Sequence, residues 1–590
     1  MLYCELISHR KACDEENKKP KKRGIQMEHT INDVLRITTL DYLNQINISA
    51  PPAPATVEAQ LLMAQRLQIQ LANTNLEKGE KWKVPQRLIP WQIANIVAKL
   101  YPVCTICTGG EGSDRSYDLL AIYQTEGDQE GIYVTDDEIF SSIMRQYNIT
   151  MNRHDFAEAM QVLREIVPRK ERCKQAQLIA VNNGIFDYDT KQLLPFDPEL
   201  VFMSKSKVNY NPNAKNITIH NPDDNTDWDV ESWMNELSDD PEIVNLLWEI
   251  LGAIIRPLVS WNKSAWFYSE TGNNGKGTLC ELMRQLCGAG SFASIPLADM
   301  GKDFMLEPLT RASAIIVDEN DVGTFIDKAA NLKAIITNDV IQINRKFKTP
   351  IPYKFYGFMV QCLNEFPKVK DKSDSFFRRQ LFIPFTKCFT GIERRYIKND
   401  YLHRTEVLEY VLYKVLNMNY YTLSEPDACQ LALEEYKEFN DPVRQFAEEI
   451  LPMASWDLLP FTMLYEMYQV WYKRNYPSGK IQSRNTFIND IIVAINNNPD
   501  WECPDRKRQL FGSGRMECTE YLLNAYDMKS WMNPHMINMP SADVQSKCTP
   551  LPGQYTQLRF RGINRTAQAI ALRNADTEDN DTEVSEEKDS

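Results

Sequence analysis

Apolar residues recur along this chain with two different periods, and each period predicts its own kind of element. From Val57 to Leu76, the residues Leu61, Leu62, Leu67, Ile69 and Leu71 stand among Ala and Gln at helical spacing. Residues 85 to 180 alternate helical stretches with short apolar runs, and Trp233 to Leu258 again reads as helix. Ala265-Trp266-Phe267-Tyr268 opens a different regime. As far as Phe385, unbroken apolar runs such as Ser313–Val317 and Phe358–Leu363 alternate with helical segments. Strands that are apolar throughout must be covered on both faces, so this stretch predicts an α/β layer with its strands in the middle.

Two smaller patterns predict hairpins. Ala180-Val181-Asn182-Asn183-Gly184-Ile185-Phe186, with Leu193 and Leu194 beyond, reads as strand, turn and strand. Asp187 and Asp189 in it are turn residues rather than a metal pair, because no third ligand stands nearby. Val340 to Pro350 alternates before breaking at its proline. Pro51-Pro52-Ala53-Pro54-Ala55 predicts an extended linker. Residues 1–26 lack periodicity. Their basic cluster, Lys18 to Arg23, is followed by no apolar stretch, unlike a secretory signal, which points to the cytoplasm. Residues 575–590 are acidic without aromatics and predict a solvated tail.

Composition then narrows the function classes. A chain of 590 residues exceeds what one hydrophobic core supports, so roughly two to four domains are expected. No apolar run is long enough to span a bilayer, which argues against a membrane partner. Thirteen scattered cysteines suit a reducing compartment better than a disulfide framework. Cys104 and Cys107 have C-x-x-C spacing but no second pair, so they read as ordinary thiols rather than a zinc site. A net charge of −14 argues against a protein that coats nucleic acid over its whole surface. It leaves open a ring whose pore alone is basic.

The strongest candidate chemistry lies between the Trp266–Tyr268 strand and a helix expected over Leu279–Leu286. There Gly272, Asn273, Asn274, Gly275, Lys276, Gly277 and Thr278 form a small-residue loop whose backbone N–H groups can wrap phosphates, with Lys276 reaching the β- and γ-phosphates of ATP. The loop departs from the strict phosphate-loop pattern at Glu270, where a glycine is usual, and at Gly277, where a hydroxyl is usual. Thr278 is the alternative hydroxyl for Mg²⁺. About 40 residues on, the apolar run ending at Val317 finishes on Asp318 and Glu319, one carboxylate to hold Mg²⁺ and one to activate water. Asn364, at the end of the Phe358–Leu363 run, is placed as a sensor that positions the water. Arg378 and Arg379 are both candidates to reach a neighbouring subunit's γ-phosphate, with a surface salt bridge as the alternative for one of them. The hairpin tip carries Arg345, Lys346, Phe347 and Lys348, basic residues with one aromatic, as a DNA strand requires; a solvated turn is the alternative, and Lys333 joins the same candidate surface.

In order and spacing, the segments GNNGKGT, AIIVDEN, INRKFK, QCLNEFP and SFFRRQLFIPF resemble superfamily 3 helicases, specifically the helicase portion of phage and plasmid primase-helicases related to the poxvirus primase-helicase. The resemblance covers residues 180 to 390, with NNGIFDYD in the part that precedes the motor. It implies an AAA+ P-loop NTPase fold, a homo-hexameric ring, Mg-ATP hydrolysis between subunits and, in most members, 3′ to 5′ translocation on single-stranded DNA at a fork. For a phage or mobile element it implies a bacterial host cytoplasm. Residues 441–535, with Arg484 near the start of a helix and Arg506-Lys507-Arg508 in a turn, are similar to the winged-helix end of such proteins; a docking domain with an aromatic core fits nearly as well.

The expected organisation is a flexible arm over 1–50, a mainly helical domain over 57–180, a pre-motor segment over 181–240 and the motor over 241–390. A helical connection over 391–440, the winged-helix-like domain over 441–535 and a flexible acidic tail over 536–590 follow. No primase site stands out, so priming is expected from a partner chain. Three functions are distinguishable: a DNA-unwinding motor, an ATP-dependent initiator or loader, and a non-catalytic nucleic-acid-binding module. The intact Lys276, Asp318, Glu319, Asn364 and Arg378 set weakens the last.

Overall fold

A computed structural model describes residues 30–573 apart from 75, 111, 347, 477–480 and 497. The chain divides into two compact units, residues 1–107 with 114–172 and residues 108–113 with 173–590.

In the first unit, the expected arm over 1–50 is ordered from Thr30. Thr30 and Asp33 exchange side-chain and backbone hydrogen bonds in a capping box, which starts the helix Ile31–Gln45. The proline run is not a long linker: Pro54 occupies the first turn of helix Pro54–Asn73, where its missing N–H costs nothing. Buried Gln92, in helix Pro90–Leu100, donates to Thr39 Oγ1 at 2.9 Å and Gln65 Oε1 at 3.1 Å, tying three helices through one amide. The mainly helical expectation for 57–180 left out a small sheet. Val103–Ile106, Leu119–Tyr123, Tyr133–Val134 and Arg169–Lys170 form a four-stranded sheet, and the first two of these are wholly buried runs too short to show a period.

The second unit is mixed α/β around a parallel five-stranded sheet. Its strands in chain order are β1 (Ser264–Tyr268), β2 (Phe292–Ala293), β3 (Ala314–Val317), β4 (Phe358–Leu363) and β5 (Gln380–Pro384). Across the sheet they run β2-β3-β4-β1-β5, every pair parallel. All five carboxyl ends therefore face one side, where open α/β sheets bind ligands. Helix Pro241–Ile255 is buried almost all round, from Ile243 to Ile255. It shares one core with the 178–187 hairpin strands, the sheet and helix Thr405–Asn417, so the expected pre-motor and connecting segments are not separate bodies.

A second core gathers helices Pro442–Ile450, Phe461–Asn475 and Arg484–Ala494. Asp441 caps the first of these, accepting from Val443 N and Arg444 N, and Pro442 follows as the first helical residue. A three-stranded antiparallel sheet completes this domain, with Gly562–Arg565 between Leu458–Pro460 and Trp501–Glu502. A Cβ on Gly562 would lie 2.2 Å from the Leu459 carbonyl oxygen, so only glycine permits this close approach. The expected flexible tail from 536 is thus corrected as far as residue 573, because apolar Ile563 enters the core and Arg565 pairs with buried Asp457 at 3.0 Å. Residues 574–590 lie outside the described residues. Among the described residues, no helix is long and apolar enough to cross a membrane.

Candidate active site

The chain leaves β1 at Tyr268, turns through Ser269–Asn274 and enters helix Lys276–Cys287. Gly275 makes the turn at φ 87°, and a Cβ there would sit 2.6 Å from Leu237 Cδ2. Asn274 donates its amide to Thr271 O at 2.5 Å, closing the loop on itself. Asn273, also left-handed at φ 54°, donates to Thr390 Oγ1 and Glu393 Oε1, each at 3.2 Å, and its carbonyl accepts from Phe389 N at 2.7 Å. The side chains of both asparagines thus shape and brace the loop.

Lys276 is buried and its ammonium has three acceptors: Asn364 Oδ1 at 2.9 Å, Leu363 O at 3.1 Å and Ser269 O at 3.3 Å. Three donors meet three oxygens, all at the carboxyl ends of β1 and β4. Burial pulls the Lys276 pKa below the ordinary lysine value.

Next along the sheet, β3 ends on Asp318 and Glu319, both exposed. Arg284, on helix Lys276–Cys287, grips Asp318 with both terminal nitrogens, at 2.8 and 3.2 Å. That hydrogen-bonded guanidinium holds the Asp318 carboxyl below the usual carboxylate range. Asn320 is buried behind the two acids. It accepts from Leu297 N at 2.9 Å and donates to Gln361 Oε1 and Cys362 O, each at 3.0 Å, locking the turn that presents them. Neither Arg284 nor Asn320 is among the residues that sequence reasoning picked out; the buried amide directly after the acid pair was the available signal for Asn320.

Thr278 makes no hydrogen bond to Asp318 among the described residues and lines a cavity of about 340 Å³ beside the loop. Trp233, Leu237, Phe389 and Ile392 give this cavity apolar walls, while Asn273 and Lys398 give it polar ones. An ion pair between Arg394 and Glu236, two further lining residues, stands beside it. Its two sides lie some 150 residues apart in sequence, which hid it from any local motif.

The structure separates the arginine pair. Arg378 is exposed, whereas Arg379 is partly buried and donates to Ser375 O. Strands Val340–Arg345 and Lys348–Lys354 form the expected hairpin, with Arg345 opposite Lys348. Pro350 does not end it, because a two-stranded ribbon has outer edges where a missing N–H breaks no ladder. At the tip, Arg345 donates twice to Thr349 O, at 2.9 and 3.2 Å, while Lys346 and Lys348 are exposed. Phe347 lies outside the described residues. Lys333, on helix Ala329–Ile336, is engaged by Asp371 at 2.6 Å rather than held out for a strand. Arg484 opens helix Arg484–Ala494, exposed, just after the Ser483 cap. Asp187 accepts from Asp189 N and Thr190 N, the geometry of a turn.

Three family models match the chain. Residues 122–238 match "D5 N terminal like", residues 438–531 match "Poxvirus D5 protein-like", and residues 267–379, which hold every catalytic candidate from Lys276 to Arg379, match a family of unknown function, DUF5906. The two D5-like matches support a phage or viral primase-helicase family for this chain. Among solved structures, the chain is similar to the apo structure of the NrS-1 C-terminal region (305–718), at 11% identity and a TM-score of 0.36 over 70% of this chain and 90% of that one. The A-form apo structure of the same NrS-1 region aligns at 12% identity and a TM-score of 0.35, over 69% and 90%. No curated protein matches the chain.

Proposed function

We infer that the chain is an ATP-driven DNA helicase of a replication system, working as a ring, with β1 to β5 as an AAA+ motor. The observation that carries this reading is the meeting of Lys276 and Asn364 at the ends of neighbouring parallel strands, with Asp318 and Glu319 at the end of the next one. The residues present fit Mg-ATP. Lys276 exchanges protein oxygens for phosphate oxygens, the loop N–H groups and the helix N-terminus take the remaining phosphate charge, and the apolar cavity beside the loop receives the base. Mg²⁺, bound with the nucleotide, supplies charge neutralisation at the transferring phosphoryl group, and Asp318 with Thr278 are the residues to hold it. Glu319 is open to solvent and takes the proton from the attacking water, which Asn364 orients. Arg378 is the better placed of the two arginines to serve a neighbouring subunit, since Arg379 is spent on its own chain.

Lys346 and Lys348 at the hairpin tip are the grip on single-stranded DNA, and the C-terminal domain, with Arg484 on its third helix, is read as winged-helix-like. The test is unwinding of a forked duplex with Mg-ATP by the wild type and by Lys276→Ala, with strands labelled to report direction. Unwinding that disappears in the variant supports the motor. A wild type that hydrolyses ATP with DNA stimulation but does not unwind overturns it in favour of an initiator or loader.

A further inference from the structure

Arg284 sits two turns along the helix that begins at Lys276, and its side chain is mostly buried, 17% exposed. A guanidinium so placed needs anionic partners, and it has two of unequal quality. Asp318 takes both terminal nitrogens in a two-pronged pair, whereas Glu281 stands off at 3.7 Å on the same helix. Glu281 is itself shared, accepting from Gln285 at 2.8 Å and lying 3.6 Å from His403 Nε2. The ring centroid of Phe292, on β2, lies 5.9 Å from the guanidinium carbon. The carboxylate that the reaction needs for Mg²⁺ is therefore already occupied by a cation that belongs to the chain.

Resting on the ATPase reading above, we propose that Arg284 is a positioning residue that holds Asp318 when no metal-nucleotide is bound and gives it up when Mg-ATP arrives. A carboxylate that shares its oxygens with a divalent ion holds a two-pronged guanidinium less tightly, because the cation draws off the same lone-pair charge. Asp318 would then loosen its tie to Arg284, and with it the link between the loop helix and β3. Glu281 is the place to which the released guanidinium moves, a short shift on its own helix. Arg284 thus raises the Mg²⁺ concentration needed for tight nucleotide binding and makes loading of the metal, rather than of bare ATP, the event that frees the helix from the acid-bearing strand.

The test is a titration of the full chain with a fluorescent ATP analogue at a series of Mg²⁺ concentrations, read as binding rather than turnover. Arg284→Gln removes the competing cation, and the half-saturating Mg²⁺ should fall about threefold, the scale of a partly exposed ion pair. Glu281→Gln removes the alternative partner, tightens the hold on Asp318, and should move it the opposite way. A merely structural role for Arg284 predicts no such opposed pair, and Glu281→Gln keeps the proposal open to refutation if Arg284→Gln does not fold. An unchanged Mg²⁺ requirement in both variants, or a rise in Arg284→Gln, overturns the proposal while leaving the ATPase reading standing. A wild type that binds no nucleotide at any Mg²⁺ concentration overturns both.

Discussion

Asn364 Oδ1 accepts a hydrogen bond from Lys276 Nζ at 2.9 Å, joining the end of β4 to the first residue of helix Lys276–Cys287. Asn364→Ala leaves the ammonium two backbone carbonyls and removes the amide that orients water. ATP hydrolysis should fall about 100-fold in kcat, the scale of losing one preorganised polar group, with only a modest drop in melting temperature from the lost acceptor. Asn364→Asp should act differently. A carboxylate at this place competes with phosphate for the lysine, so KM for ATP should rise. Steady-state kinetics of the two variants separates these effects.

Gly275 has no substitute that keeps the loop. A side chain at φ 87° costs about 1–2 kcal/mol, and its Cβ displaces Leu237 as well. Gly275→Ala should therefore lower unfolding stability by that amount in urea titration and weaken nucleotide binding more than a distant substitution of equal cost.

The hairpin should matter for coupling rather than for hydrolysis. Neutralising Arg345, Lys346 and Lys348 together removes three phosphate contacts, so the slope of log K against log salt for single-stranded DNA should flatten by about 2. Unwinding should drop while DNA-free ATPase activity persists. Because Arg345 also closes the tip through Thr349 O, Lys346→Ala with Lys348→Ala is the cleaner pair. Unchanged unwinding and salt slope would show that the tip is no grip.

A pH effect is expected in the C-terminal domain. Glu520 is fully buried, and burial raises its pKa even though it accepts from the backbone N–H groups of Ser455 and Trp456 at 2.7 and 2.8 Å. A carboxyl whose folded value lies above its unfolded one contributes fully below the ordinary glutamate range, and that contribution is lost as pH rises through the folded value. Hydrogen exchange of peptides spanning 455–457, corrected for intrinsic rates, should show weakening protection toward neutral pH. Glu520→Gln should remove this pH dependence.

Much of the five-stranded sheet and of its candidate site could be read from the chain because the strands are mainly apolar runs and the candidate residues follow three of them: Gly275 and Lys276 in the loop after β1, Asp318 directly after β3 and Asn364 directly after β4. Side-chain pairing was not legible in the same way. That Arg284 would meet Asp318, that Lys333 would be taken by Asp371, and that Trp233 and Phe389 would wall one cavity all depend on how distant segments pack. The sheet of the first unit escaped for a different reason. Its strands Val103–Ile106 and Leu119–Tyr123 are short and buried on both faces, and such runs show no alternation to distinguish them from pieces of helix.

The position of Gly562–Arg565 between Leu458–Pro460 and Trp501–Glu502 governs how this protein can be made. A ribosome that has released Leu458 must add about a hundred more residues before the middle strand exists, an interval of roughly 5 to 20 seconds at ordinary translation rates. Throughout it, Trp501 lacks the Arg565 guanidinium that later stacks 4.5 Å from it, and Asp457 lacks its counter-charge. The nascent domain therefore passes through a long-lived open form with an apolar seam exposed, a natural substrate for chaperones, and it snaps shut only when the far end of the chain comes back to it.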